Sequence, residues 1–522
     1  MTFKRMRMLG GLGLLAAALA VSPSAAEPQA GVALSLQDAL KTALQKNFDI
    51  RVQKITLEQS DLNLKGAYGL YDPQLSLNWY STINRQPVTS ILQAGAGASL
   101  YLNRTDGYNL QVNQMTPWGQ GFNLIWDNAR NKTNSSFYTL NPSYTSSGQL
   151  GTSLPLLQGF GTKVANRTVL KAKLDRSIAD RQFSQNLRDT LLQVEQDYWN
   201  LVYAIKDLKV KESSLDLAKR FQEETRKKID VGVLAPIEQI SADAQVATRE
   251  QDIIAAQQSV GDRQDILKLA LGISQDSPEW GQAFSPTDEP SVAAAPGAEP
   301  ELIDRALAAR PEIKQLEDKI SKDKLDTRWA KNQTLPQLNL NASLTYNGSA
   351  GRFVDPTTGM VYDQGYSDAW RQITGLDYKS YYVGLSFVYP IGNRSARAQY
   401  QSTRLAQNAD EISYQRLKLS VANEVRAALR GLEAAQKRVA AAEVTLKLQQ
   451  DKLDAEQKKY ENGLSTAFNV LSYQNDLATA QSGLLSAQIA AQNAGATLDR
   501  AVGTYLETHG VDLVDVKGNP IE

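Results

Sequence analysis

Leu191–Leu208 reads LLQVEQDYWNLVYAIKDL, and Leu191, Val194, Tyr198, Leu201, Ile205 and Leu208 recur in it at steps of three and four. That spacing keeps one apolar seam against a partner helix, as in a coiled coil. Outward from this stretch, Thr162 to Val231 contains neither Gly nor Pro. A helix over about 165–230 would be about 100 Å long at 1.5 Å per residue, too long for a compact globule. It stops at Asp230-Val231-Gly232-Val233-Leu234-Ala235-Pro236. Gly232 suits a left-handed helix cap and Pro236 the first turn of a returning helix to about 272. The result is a long helical hairpin with an exposed tip.

The plan occurs twice. Val421, Val425, Ala428, Leu432, Ala435 and Val439 form a second seam, with a second break at Glu461-Asn462-Gly463-Leu464-Ser465 and a return to about 504. Val194, Leu201, Leu208 and Gly232 recur 231 positions later, as Val425, Leu432, Val439 and Gly463. Upstream, Ala43-Leu44 through Ile50 to Pro73-Gln74-Leu75 recurs 263 positions later as Ala306-Leu307 through Ile313 to Pro336-Gln337-Leu338. The offset shrinks by 32 residues, so the first copy holds extra loop and strand between its markers. Small and polar residues line the hairpins, Ala244, Ala247, Ala255 and Ala256 in one and Ala478, Ala480, Ala487, Ala490 and Ala491 in the other. This composition suits close helix packing and equally a helix wall wet on one side.

Between the leading helices (34–70 and 302–331) and the hairpins the period falls to two. Leu75, Leu77 and Trp79 alternate with Ser76 and Asn78; Leu338, Leu340 and Ala342 with Asn339 and Asn341; and Val383, Leu385 and Phe387 form another row. Leu110 with Val112, Phe122 with Leu124, and Leu154 with Leu156 give shorter rows. Stretches 84–106, 129–149 and 347–380 have loop composition. Alternation alone fits either a soluble antiparallel sheet or a barrel with lipid outside and water inside. Four principal strands per chain could not close a membrane barrel, whose smallest examples have about eight; three chains would give 12. Twelve helical lanes about 10 Å apart would likewise enclose a lumen of about 30 Å.

Lys4, Arg5 and Arg7 precede an apolar run from Leu9 to Val21 and then Ser24-Ala25-Ala26, the pattern of a secretory leader cleaved before Glu27. The expected organisation is a signal peptide (1–26), a first repeat (27–271; strands about 73–157, hairpin about 165–271), a linker (272–300), a second repeat (301–505; strands about 336–391, hairpin about 396–504) and a short polar tail (506–522), peripheral to the tube. Lys+Arg and Asp+Glu each number 56, so losing the three leader bases leaves 53 basic against 56 acidic groups, which gives no footing for nucleic acid. The chain has no cysteine and one histidine, His509. A disulfide framework, a thiolate metal site, an N-terminal lipid on Cys and a His-based catalytic site are thereby excluded. No phosphate-cradling Gly-rich loop is present. The expectation is no enzyme, no catalytic residue, no metal and no cofactor.

The duplicated order of elements, the Pro-Gln-Leu strand entrances, the exits Leu154-Pro155-Leu156-Leu157 and Tyr389-Pro390-Ile391-Gly392, and the Val231-Gly232-Val233 tip together resemble the TolC family of outer-membrane efflux proteins over residues 34–505. The resemblance implies a mixed α/β membrane protein of a Gram-negative cell. Its outer-membrane β-barrel, four strands per chain and 12 in the homotrimer, would continue into a long periplasmic antiparallel coiled-coil α-barrel. It implies a passive exit duct for tripartite efflux or type I secretion. Docking would go through a periplasmic adaptor (membrane fusion) protein to an inner-membrane pump of RND, ABC or MFS type. Gly232, Val233, Leu234 and Ala235, with Gly463, Leu464 and Ser465, would meet the adaptor. Glu238, Tyr460, Asn469 and Ser472 would lie at the periplasmic entrance or gate. Efflux relatives carry an arginine and two aspartates where this chain has Ser465, Asn469 and Ser472, so an acidic constriction is not expected here. The competing reading is a structural or adhesive coiled-coil rod at the cell surface or in the periplasm, without transport.

Overall fold

Two helix breaks 263 residues apart set the frame. The computed structural model describes residues 31–90, 93, 99–291, 297–513 and 516; the leader with its cleavage point before Glu27, and 292–296 of the linker, lie outside them. A short strand β1 (Val32–Leu34) leads into α1 (Leu36–Lys46) and α2 (Phe48–Tyr68). Ser35 caps α1, its Oγ accepting the Asp38 N–H at 3.1 Å. At the α1–α2 junction Asn47 leaves the helical region, its Oδ1 accepts the Ile50 N–H at 3.0 Å and its Nδ2 donates to the Ala270 carbonyl at 2.7 Å. The single helix expected over 34–70 is therefore two, hinged at a capping Asn.

Four long strands follow in the first half: β2 (Gln74–Pro87), β3 (Leu100–Met115), β4 (Gly121–Thr133) and β5 (Ser143–Pro155). Next come α3 (Arg167–Asp230, 64 residues) and α4 (Ile237–Leu271), then a short strand β6 (Phe284–Pro286) that pairs in parallel with β1. The second half repeats the opening with α5 (Glu299–Ala309) and α6 (Pro311–Gln333), whose break falls at Arg310-Pro311. It continues with β7 (Gln337–Val354), β8 (Val361–Asp363), α7 (Tyr366–Thr374), β9 (Tyr378–Val388), α8 (Arg394–Glu461, 68 residues) and α9 (Ala467–Val502). Helix bounds in the two halves correspond residue for residue at the two sequence offsets: α1 with α5, the end of α3 with that of α8, and the end of α4 with that of α9.

The sheet departs from expectation in its count. Six long strands, not four, form one antiparallel sheet in the order β2-β3-β4-β5-β7-β9, with β8 added beyond the end of β9. Three chains would thus bring 18 strands, not 12. The extra pair lies in the first half, where the offset change placed extra sequence. Much of 84–106, 129–149 and 347–380, expected as loop, is strand. The reason is the composition of one face: Asn, Ser, Thr and Gly alternate with the apolar row and imitate turn chemistry.

The core runs along the helical rods. Leu187, Leu191, Val194, Tyr198 and Leu201 of α3 pack with Ala39, Leu40, Ile50, Leu267 and Leu271; Val421, Val425 and Leu432 of α8 pack with Leu302, Ala306, Ile313 and Leu498. The seam read from sequence is this core. Buried Arg310 links its own joint to α8 through Glu424 (2.7 Å), and Arg500 of α9 joins Glu424 to Asp189 of α3 (2.8 Å). One network thus ties both halves together. The linker is not all spacer: Phe284 is buried and its N–H and carbonyl both bond the Gln264 amide. Nor is the terminal segment peripheral. Tyr505 and Leu506 are buried, Tyr505 Oη donates to Glu195 at 2.8 Å, and His509 Nε2 lies 3.2 Å from the same carboxylate. The apolar residues Tyr505, Leu506, Val511 and Leu513 carry it into the core despite its polar neighbours.

Candidate functional site: the two faces of the sheet and the hairpin tips

Alternation along the paired strands separates the sheet into two chemically opposite faces. Register places Leu75 beside Val112, Leu77 beside Leu110, Leu124 beside Leu150, and Leu340 beside Leu385. Intervening positions carry Asn and Ser side chains that bond across strands: Thr105 Oγ1 to Asn131 Oδ1 (2.7 Å), and Ser153 Oγ to Asn341 Oδ1 (2.8 Å). Over the half of the sheet nearer the rods one face is thus apolar and the other a polar lining; farther out the apolar face gives way to charge, Arg104 pairing with Asp106 at 2.9 Å beside Arg130. No helix among the described residues is long and apolar enough to cross a membrane.

At one end of the apolar face lies an aromatic band. Helix α7, read as loop from sequence, lies across it: Trp370 meets Trp126 edge-on at 5.8 Å, Tyr366 meets Tyr144 at 4.8 Å, and Trp370 Nε1 donates to Asn128 Oδ1 at 2.8 Å. Gly348 allows this approach, since a Cβ there would sit 2.0 Å from the Ala369 carbonyl. Such a girdle suits a membrane–water interface, where an aromatic ring can be apolar on one side and wet on the other.

The rods end in two tips of the same geometry. Gly232 and Gly463 adopt φ of +77° and +73°, and the Val233 and Leu464 N–H groups each donate to the carbonyl five residues back, Lys228 and Lys459, at 2.8 Å. These are glycine-dependent helix closures, and no atom lies within 4 Å of a Cβ built at either glycine, so conformation alone requires Gly. Around them Val233 (69 % exposed) and Leu464 (79 %) project into solvent, as do Val231, Ile237, Ile240 and Phe468. Leu234 is half-buried, while Gly232, Ala235 and Gly463 are exposed. Sequence reasoning missed Ile237, Ile240 and Phe468; the signal was apolar residues lying off the packing seam just past each glycine.

Just above the tips a cluster joins the hairpins. Phe221, Ala242, Leu453, Tyr460, Ala467 and Val470 are buried together. Tyr460 meets Phe221 at a tilt, ring centres 5.3 Å apart, with Lys228 Nζ 4.1 Å from the tyrosine ring centre. Burial pushes the Tyr460 phenol up, and the nearby Glu238 and Glu224 carboxylates add to the shift. Ser465 Oγ donates to Glu456 at 2.5 Å and accepts from Asn469 Nδ2 at 3.3 Å. That hydroxyl, followed by Lys459, holds Glu456 below its ordinary value. Glu238 therefore sits near Tyr460, Asn469 belongs with Ser465, and Ser472 stands apart and exposed. Among the described residues no group of three or more His, Asp or Glu could hold a metal.

Residues 302–504 match the family model for outer membrane efflux proteins. No curated protein matches the chain. Solved structures do: the outer-membrane channel OprN (16% identity, 90% of each chain, TM-score 0.65), the Campylobacter jejuni CmeC outer membrane channel (15%, 92% of this chain and 90% of that one, 0.64), and the open state of the Neisseria gonorrhoeae MtrE outer membrane channel (18%, 90% and 89%, 0.56). The second half thus resembles outer membrane efflux proteins, and the chain as a whole shares the fold of these outer-membrane channels.

Proposed function

We propose that the chain is a homotrimeric outer-membrane exit duct for tripartite efflux or type I secretion. It conducts cargo passively, with its sheet in the outer membrane, its rods in the periplasm, and its tips on a periplasmic adaptor that leads to an inner-membrane pump of RND, ABC or MFS type. The observation that carries this reading is the continuity of one sheet, apolar on one face and polar on the other, with paired rods ending in exposed apolar tips. A structural or adhesive rod would need the rods but not the two-faced sheet. Val233→Asp combined with Leu464→Asp should abolish export while leaving insertion in the outer membrane intact; undiminished export would refute the docking assignment.

The entrance carries Asn469 and Ser472 where an acidic ring would attract cations. Single-channel currents are therefore expected to show weak cation selectivity, because amides and hydroxyls add no fixed charge to the constriction. Strong cation preference abolished by neutralising a carboxylate in this constriction would overturn that assignment.

A further inference from the structure

We propose that the outer end of the apolar face binds the phosphorylated headgroup of an outer-leaflet lipid through Arg85, Arg104, Arg130 and Lys132; the proposal rests on the outer-membrane placement of the sheet given above.

Charge is spread unevenly over the sheet. The six long strands hold six basic residues: Arg85 on β2, Arg104 on β3, Arg130 and Lys132 on β4, Arg352 on β7 and Lys379 on β9. Register gives all six the parity of the apolar row, odd on β2 and β9 and even on the strands between. All six also lie toward the strand ends far from the rods. The polar face of these strands carries no cation, although water would solvate one there.

Height accounts for the pattern. A tilted strand crosses the hydrocarbon in about 9–11 residues. Counted from the rod-side ends Gln74, Met115 and Gly121, that length ends at about 82–84 on β2, about 105–107 on β3 and about 129–131 on β4. Arg85, Arg104 and Lys132 each stand just past it, and Arg130 stands at the boundary. The aromatic band lies at the same boundary, with the Arg130 guanidinium 5.9 Å from the Tyr144 ring centre. The cations are thus at the level of lipid phosphates, on the face turned to lipid.

The cluster is short of anions. Strand pairing sets Arg104 directly opposite Lys132, a like-charge pair that weakens a sheet unless an anion screens it. Asp106 is the only carboxylate that β2, β3 and β4 place on this face. It already accepts from Ser81 Oγ at 2.6 Å and pairs with Arg104 at 2.9 Å and Arg130 at 3.9 Å. Among the described residues no ion pair engages Arg85 or Lys132. The strand connections beside them supply no partner either, since residues 86–105 and 128–174 contain no Asp or Glu. Directly below lie Leu77, Trp79 and Leu110, with Trp79 75 % exposed. An apolar wall for acyl chains therefore ends at four cations that share one carboxylate, and the guanidinium forks match phosphate oxygens. A free anion would use only the upper part of this arrangement.

The test uses the full-length protein in detergent micelles doped with lipid A, a doubly phosphorylated glycolipid, or with the same lipid stripped of its phosphates. Intact-complex mass spectrometry counts the lipid retained and gives its affinity. Wild type should hold phosphorylated lipid A about tenfold or more tighter than the stripped form, and added salt should shrink the difference. Arg85→Gln with Lys132→Gln breaks no ion pair and should weaken lipid A binding about 30-fold. Lys437→Gln with Lys447→Gln, which removes two exposed cations along α8, should leave it unchanged. Equal retention of the two lipids by wild type, or undiminished retention by the Arg85 and Lys132 double variant, overturns the proposal. Displacement of lipid A by inorganic phosphate would mark a free-anion site and overturn it too. Binding in micelles needs no transport, so binding without export in cells sinks the exit-duct reading and leaves the lipid site standing; export without binding does the reverse.

Discussion

Asp323 of α6 faces Asp410 of α8, which Lys319 also contacts at 2.9 Å. Burial, and then the neighbouring Asp410 carboxylate, push the Asp323 carboxyl up to about 6, with Lys319 opposing and Asp326 adding to the shift. A raised carboxyl pKa means that the folded state keeps a proton the unfolded chain has already released. This contribution is complete below the unfolded value near 4 and is lost as pH rises through 6. Asp323→Asn keeps the neutral form at every pH. Melting in detergent from pH 4 to 8 should show wild type losing about 1–2 kcal/mol relative to the variant, allowing for solvent screening of a partly exposed pair. A constant difference across that range would show that Asp323 does not titrate there. At the same scale Asn47 and Arg310-Pro311 explain why the leading helices break: one caps, the other places Pro at a first turn. Pro311 was a visible stop signal, whereas the role of Asn47 depends on the distant Ala270 carbonyl.

At the scale of elements, β3 offers the sharpest contrast between adjacent residues. Leu110 lies on the apolar face beside Leu77 and Trp126, and Gln111 on the polar face beside Asn113. Leu110→Arg should cost about 2–4 kcal/mol near the bilayer midplane and deplete assembled protein from the outer membrane, while Gln111→Arg should assemble normally. Equal assembly of both variants would mean that β3 has no lipid face. The rods were legible because a seam at Leu191 to Leu208 and another at Val421 to Val439 each persist for several turns. The glycine breaks were legible because Gly232 and Gly463 close both tips alike. The strand count was not, since the polar row of β3, β4 and β5 reads as loop when its partners are unknown. Helix α7 escaped because its aromatic residues acquire meaning only against Trp126 and Tyr144 across the sheet. The exposed tip residues Ile237 and Phe468 belong to no periodic pattern, and only the structure shows them beside Val233 and Leu464.

At the scale of the molecule, the proposed function makes the chain part of one tube wall, with the sheet at its membrane end and the exposed tips at the end proposed to meet an adaptor. Ion pairs among Arg310, Glu424, Arg500 and Asp189 bind the two repeats into one wall. Both repeats run from membrane end to tip, so the wall is made of halves standing side by side rather than stacked. Everything depends on the sheet having lipid on one face and water on the other. The most direct measurement is single-cysteine labelling from Tyr108 to Asn113 on β3 in intact outer membranes with a water-soluble thiol reagent. Odd positions such as Asn109 and Gln111 should react quickly and even positions such as Leu110 and Val112 scarcely at all. Equal reactivity along the strand would contradict the account.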